Sequence, residues 1–237
     1  MSFAAEEKMP ELIADVWVMT PKAGHEADFH KALKEHVAFR ASKDDPRKWQ
    51  VYRAVTGDKL NEYIIRACCF EWAAQDKYVE WSNSSGVQKN WNENASQYVE
   101  SYKHEFIKMD SKNSHWPQGT DASYVGVTHF SVKDGHSQKM KKAIMDLSTF
   151  AKENKWPHSW SWSSPISGSY DISLAIPHAN FASMAPLDES FYDFVMKNHE
   201  SKEEAGKIFD DYSSSIEDAT YHIYRHDKDL SMKFDDD

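Results

Sequence analysis

Cysteine, glycine and proline are all scarce: 2, 8 and 8 in 237 residues. Two thiols cannot supply the covalent framework of a small secreted scaffold. Adjacent as Cys68-Cys69, they show neither Cys-Xaa-Xaa-Cys spacing nor a zinc-like Cys/His pattern, and no metal site is expected. They sit in an apolar run that reads as a strand, where neighbours point to opposite faces, so a bond between them would be strained. The expectation is two packed thiols in a reducing compartment, with a reactive thiol as the other reading. Low glycine and proline content excludes collagen-like and low-complexity chains. No apolar run approaches the roughly 20 residues of a bilayer span, so a soluble protein is expected. No basic patch is present, which argues against a nucleic-acid partner. Dinucleotide-fingerprint, P-loop, HExxH and GxSxG motifs are missing as well.

What the chain does have is apolar mass, with 40% hydrophobic and 14% aromatic residues. That is enough for a packed core in one large domain or two small ones. The formal net charge is −10, and 15 acidic against 6 basic residues fall after position 187. Asp235-Asp236-Asp237 reads as a solvated tail. The N-terminus has no charged and apolar leader pattern, which fits a cytoplasmic protein. Ser2-Phe3-Ala4 before Ala5 resembles the residues preceding a cleavage site, so export with a removed leader is the alternative.

The most informative feature is internal. A shift of 111 residues aligns 16–57 with 127–168 without a gap, and ten of the 42 pairs are identical, among them Lys22/Lys133, Gly24/Gly135, His25/His136, Trp49/Trp160 and Gly57/Gly168. Composition alone would give about two or three. A repeat of this length is a small domain rather than a solenoid unit. The repeats are expected over 11–112 and 122–228, with 1–10 and 229–237 as flexible tails.

Each copy reads alike. A strand (Ile13–Thr20 or Val125–Val132) meets a Lys-Xaa-Gly-His turn and a helix with Phe29, Leu33 and Val37, or Met140, Ile144 and Leu147, on one face. Strands follow at Trp49–Val55 or Trp160–Ile166, and at Tyr63–Phe70 or Tyr170–Ile176. A helical region over 74–102 or 184–216 precedes a last strand, His104–Met109 or Tyr221–His226. This β-α-β-β-α-β order is the ferredoxin-like unit, so the fold class is α+β. Alternation turns Ile172, Leu174 and Ile176, and in the first copy Ile65, Ala67 and Cys69, toward the helices. Arg66 and Cys68 then lie on the second face, with Arg66 matched to Ser173. A second sheet face that is neither polar nor apolar suggests pairing with the sheet of the other copy in a barrel.

On that face, a mid-strand guanidinium needs a carboxylate or an anionic ligand. Asp15, on the adjacent first strand, is a candidate ion-pair partner for Arg66; the other reading is that Arg66 binds a substrate anion. Asp15 and Trp17 share a face, which points to a cavity near Arg66. His222, Tyr224 and His226 share one face of the last strand, as Trp160 and Trp162 do of theirs. Aromatics at period two either pack sheets or line a cavity for a flat ligand. Arg66, Asp15 and His222 are therefore the candidate catalytic residues, His222 for proton transfer near neutral pH. Trp17 and Tyr224 are candidates for ligand contact. His25 and His136 start helices, where free backbone N–H groups await partners, or form a symmetric ligand site. His36 matches Leu147 and reads as a core histidine.

The element order and the strand–Lys-Xaa-Gly-His–helix start at Lys22–His25 and Lys133–His136 resemble the dimeric α+β barrel superfamily over nearly the whole chain. Its members include antibiotic-biosynthesis monooxygenases, NIPSNAP-like proteins, haem-degrading monooxygenases and chlorite-dismutase-like haem proteins, some with two fused copies. The resemblance implies a small-molecule-binding protein or enzyme with monooxygenase-like or haem-binding activity, and allows a homodimer. It also implies haem as a cofactor, for which His199, in the second helical region of copy two, is the candidate axial ligand. The alternative is a non-catalytic structural or interaction protein, in which the large side chains Trp17, Trp49, Trp160, Trp162 and Tyr224 fill the space between the sheets. Fold does not by itself select among these.

Overall fold

The computed structural model describes residues 10–233. The β-branched and aromatic run of β1 (Ile13–Pro21) leads through Gly24, at φ 81°, into α1 (Glu26–Ala41). Then follow β2 (Trp49–Ala54), β3 (Tyr63–Phe70), α2 (Ala73–Ser85), α3 (Val87–Asn94) and β4 (Val99–His115). The second half runs β5 (Tyr124–Val132), α4 (Ser137–Glu153), β6 (Trp160–Pro165), β7 (Ile172–His178), α5 (Phe191–Asn198), α6 (Lys202–Ser214) and β8 (Ile216–His226). The repeated turn is built from the same bonds in both halves. The amide of Lys22 donates to the Tyr98 carbonyl and that of His25 to Lys22; the amide of Lys133 donates to Ser215 and that of His136 to Lys133, all at 2.8–3.0 Å. The His25 and His136 side chains cap neither helix.

All eight strands close into one antiparallel barrel, in the order β1-β3-β2-β8-β5-β7-β6-β4. Each half supplies a ferredoxin-like sheet, β4-β1-β3-β2 and β8-β5-β7-β6. Two further ladders join them, β2 with β8 (Tyr52 opposite His226) and β4 with β6 (Met109 opposite Ser163). Closure removes the open edges that would otherwise invite pairing with other chains.

The cores lie outside the barrel, between each sheet and its helices. One holds Phe29, Leu33, Trp49, Val51, Tyr63, Ile65 and Trp91. The other holds Phe130, Met140, Ile144, Trp160 and Trp162, with Ile172, Leu174 and Ile176 against it. His36 is buried in the first, its Nδ1 2.8 Å from Asn90 Oδ1 and its ring against Trp91. Burial holds its pKa down to about 4.

Several expectations need correction. β4 and β8 begin at Val99 and Ile216, not at 104 and 221, because both pair with the full length of β1 and β5. Part of the expected C-terminal tail is docked: Leu230 is 0% exposed, and the Met232 amide donates to the Trp49 carbonyl at 2.8 Å. The Asp235–Asp237 run and residues 1–9 lie outside the described residues. Cys68 and Cys69 are paired as a disulfide rather than left as two free thiols, and both border the barrel interior. By register, Arg66 lies opposite Val16 as Ala175 lies opposite Val127, so its counterpart is Ala175, while Ser173 matches Ile64.

Candidate functional site

The barrel is hollow. Its interior is a cavity of about 1560 Å³ that reaches both mouths. Side chains at every second position of each strand face it, as the pleat requires. The alternate positions carry the tryptophans outward: Trp49, Trp160 and Trp162 belong to the two outer cores, and Trp17 packs against the first of them. They do not fill the space between the sheets. Of the five large residues in question only Tyr224 lines the cavity.

Arg66 projects from β3 into this space. Its nearest polar neighbour is the Met109 thioether, which accepts from Nη2 at 3.6 Å. Burial pulls the guanidinium below its ordinary pKa, the nearby Tyr52 phenol opposing the shift, and among the described residues no carboxylate acts on it. Tyr52 in turn is pushed up by burial and stacks on His226 with ring centres 5.0 Å apart.

A second group of polar residues faces the same cavity. His129 and His222 have ring centres 6.2 Å apart, and the buried Nδ1 of each is without a hydrogen-bond partner. Burial first, then His222, Lys59 and Lys103, hold His129 down to about 4, so it is neutral at pH 7. Tyr170 lies 4.2 Å from the His129 ring, and burial raises its phenol well above the usual range. Burial, aided by Glu62 and Asp58, lifts Tyr224 to about 12. Lys103 and Glu105 pair at 2.7 Å. Ser163 and Ser173 share a hydrogen bond of 2.8 Å. The wall opposite the first half thus offers imidazole and hydroxyl groups, with His129 neutral at pH 7.

The structure therefore brings Arg66, His222 and Tyr224 into one space and puts the other candidates elsewhere. Asp15 is not the partner of Arg66. It points outward, where Oδ2 accepts from Arg47 Nη1 at 3.1 Å and Oδ1 pairs with His104 Nε2 at 2.8 Å. Arg47 is sandwiched between the rings of Phe70 and Tyr78, at 3.4 and 4.0 Å. Trp17 stacks on His104 at 4.0 Å in the same outer cluster. Strands β1 and β3 do pair, but Asp15 lies opposite Ala67, on the other face from Arg66.

His199 lies at the end of α5, stacked on Phe150 at 5.3 Å, and its Nδ1 accepts the Ser201 amide at 3.1 Å. A neutral imidazole accepting at Nδ1 carries its proton on Nε2, which leaves no lone pair there for iron. The space between β5–β7 and the helices is filled by the second core. The residues around His199 do not fit a haem ligand. His129, Tyr170 and Tyr52 escaped the sequence reading. The signal available for His129 was its place in register with Val125 and Val127, on the face opposite Phe130.

No family model and no curated protein matches the sequence. Solved structures do match in shape. A Lactobacillus acidophilus protein assigned as a monooxygenase is 10% identical, covering 95% of this chain and 100% of that one, with a TM-score of 0.57. An anthrone oxidase-like protein is 10% identical over 93% and 92% of the two chains, TM-score 0.55. A chlorite dismutase variant from Candidatus Nitrospira defluvii is 5% identical over 92% of each, TM-score 0.54. At these identities the likeness is one of fold: the chain has the dimeric α+β barrel fold, with both sheets supplied by a single polypeptide.

Proposed function

We propose that the protein binds a small organic molecule inside the barrel and acts on it as a monooxygenase-like enzyme. The observation that carries this is the hollow interior with a guanidinium in its wall that has no carboxylate partner among the described residues. A buried cation without a counterion is costly to the fold alone and is accounted for by an anion that arrives with a ligand. In this reading Arg66 holds the substrate's anionic oxygen, His222 exchanges a proton with it, and Tyr224 contacts its face. The monooxygenase assigned to one shape-matched protein and the anthrone oxidase likeness of another support an oxidative reaction. His199 lies outside the cavity lining, so no haem ligand is assigned; the chlorite dismutase neighbour keeps haem in view as a cofactor of this fold. The non-catalytic alternative needed the large aromatics to fill the barrel, and four of the five face outward. Both sheets come from one chain, so closing the barrel does not require a second copy. Among the described residues no helix is long and apolar enough to cross a membrane.

The test uses N-phenylnaphthylamine, a neutral fluorophore, as a reporter of the cavity. Its emission is expected to rise on binding and to be lost in Ala175→Trp and Ser163→Tyr, which place bulk on two different strands of the interior. Circular dichroism confirms that the variants fold. Unchanged binding in both folded variants refutes the interior site.

A further inference from the structure

The two halves match in fold but have diverged where they face the cavity. Counting from the shared turn bonds, His222 stands in the second half where Glu105 stands in the first. Each lies against the corresponding glycine of the β-β turn: a Cβ on Gly57 would come within 2.8 Å of His222 Nδ1, and one on Gly168 within 3.0 Å of Glu105 Oε1. By the same count His129 replaces Val18, Ser163 replaces Tyr52, and Ala175 replaces Arg66.

The outcome is a cavity with two unlike walls. The first half contributes Val16, Val18, Ile64 and Ile107 together with Arg66, and beside them the polar Gln50, Tyr52, Lys103 and Glu105. The second contributes Ser161, Ser163, Ser173, His129 and Tyr224. Within the barrel wall Lys103 is neutralised by Glu105, the phenols of Tyr52, Tyr170 and Tyr224 stay protonated, and His129 stays neutral. Among the described residues, the wall cation left without a carboxylate is Arg66. Lys59, Glu62, Asp121, Asp218, Lys228 and Lys233 also border the cavity, and Lys59 and Glu62 act electrostatically on His129 and Tyr224.

We propose that the barrel takes one molecule at a time, an organic monoanion with a carboxylate on Arg66. Its apolar flank lies on the first-half wall, and a row of hydroxyl or carbonyl oxygens faces the serines and imidazoles of the second. This rests on the barrel interior being the binding site and adds the class of its occupant. A neutral molecule would leave the guanidinium unpaired, and a dianion would bury a second charge without a partner. A molecule without the oxygen edge would strand buried donors and acceptors, the situation in which polar sites discriminate most strongly. With one cation for two pseudo-equivalent sheets, the occupancy is one per chain and the orientation is fixed.

Isothermal titration with three probes tests this: caffeate, methyl caffeate and cinnamate. Caffeate is expected to bind one to one, at least about tenfold more tightly than either the ester or the deoxygenated acid. Arg66→Met is expected to abolish the preference for acid over ester while keeping the preference for the hydroxylated ring. The double variant Ser163→Ala, Ser173→Ala should do the reverse. Equal affinities for the three probes, two equivalents bound, an acid preference that survives Arg66→Met, or no binding of any probe each overturns the proposal. If N-phenylnaphthylamine still binds and is still lost in the cavity-filling variants, the interior site stands and only its assigned occupant falls.

Discussion

Arg66→Met separates a residue kept for a ligand from one kept for the fold. Methionine nearly matches the length of arginine without its charge, and it would meet Met109, which already touches the guanidinium. Exchanging buried ionic groups for apolar ones of similar volume is commonly neutral or stabilising, by about 1–4 kcal/mol. Arg66 borders a cavity that admits water, so its desolvation is incomplete and the lower part of that range applies, about 1–2 kcal/mol. For a chain of this size each kcal/mol moves Tm by about 2–4 °C. The ligand-free variant is therefore expected to melt about 2–8 °C higher than the wild type while losing anion binding, a trade seen where function holds a strained group in place. Calorimetry and urea unfolding at pH 7 measure it, with an unchanged m-value as the check that the native state is intact. If Arg66→Met instead loses more than about 2 kcal/mol, the guanidinium belongs to the packing of the wall, and the case for a ligand anion fails.

Other perturbations divide the candidates further. Asp15→Asn removes one side of the buried pair with Arg47 and is expected to cost about 3–5 kcal/mol in urea unfolding without changing the probe affinities; an affinity loss in folded protein would return Asp15 to the site. His129 and His36 remain neutral in the folded chain down to about pH 4, whereas the unfolded chain protonates them near 6.5. Between those values the unfolded state binds more protons, so stability is full above pH 6.5 and falls as pH drops toward 4, by up to about 1.4 kcal/mol per pH unit for each histidine. His129→Gln and His36→Gln should each flatten that slope in a urea series, and an unaltered slope in both contradicts the assignment. Haemin titrated into wild type and His199→Ala should give superimposable Soret spectra, and a band that depends on His199 would reinstate the haem reading.

The legible part of this fold is the part that packs against helices. Phe29, Leu33 and Val37 recur at helical spacing, and Ile172, Leu174 and Ile176 alternate, because each faces a core that selects for apolar side chains. The strands that looked shortest from the sequence are those with polar residues facing the cavity. Ser101, Lys103 and Glu105 on β4, and Asp218 and Thr220 on β8, replace the apolar positions that would have announced those strands four or five residues earlier. The same substitution of polar for apolar hid His129, which shares its face with Val125 and Val127 but not their chemistry. Arg66 was legible for the converse reason: a lone charge in an otherwise apolar strand has few inexpensive explanations. Its partner was not, because strand adjacency says which chains lie side by side, and only the pleat says which face each residue takes. Asp15 sits on the strand next to Arg66 and is turned the other way.

Two cores outside and a hollow centre form a division of labour that two like sheets in one chain make possible. In a single ferredoxin-like sheet the face away from the helices has to be covered by something, and a packed interface would tie its residues to stability. Here β2–β8 and β4–β6 pairing covers that face by closing the barrel with backbone hydrogen bonds, while Phe29, Trp49, Phe130, Trp160 and their neighbours bury the apolar surface elsewhere. The interior positions are thereby released from packing, and the two halves, which keep the same turns, differ at several of them. Val18 against His129 and Arg66 against Ala175 are substitutions that a filled core would not tolerate, since each exchanges an apolar or small group for a polar one. Divergence at the cavity makes a sharp demand on experiment: giving one half the other's interior residue, as in Ser163→Tyr, should leave the melting temperature within a few degrees while changing what the barrel binds.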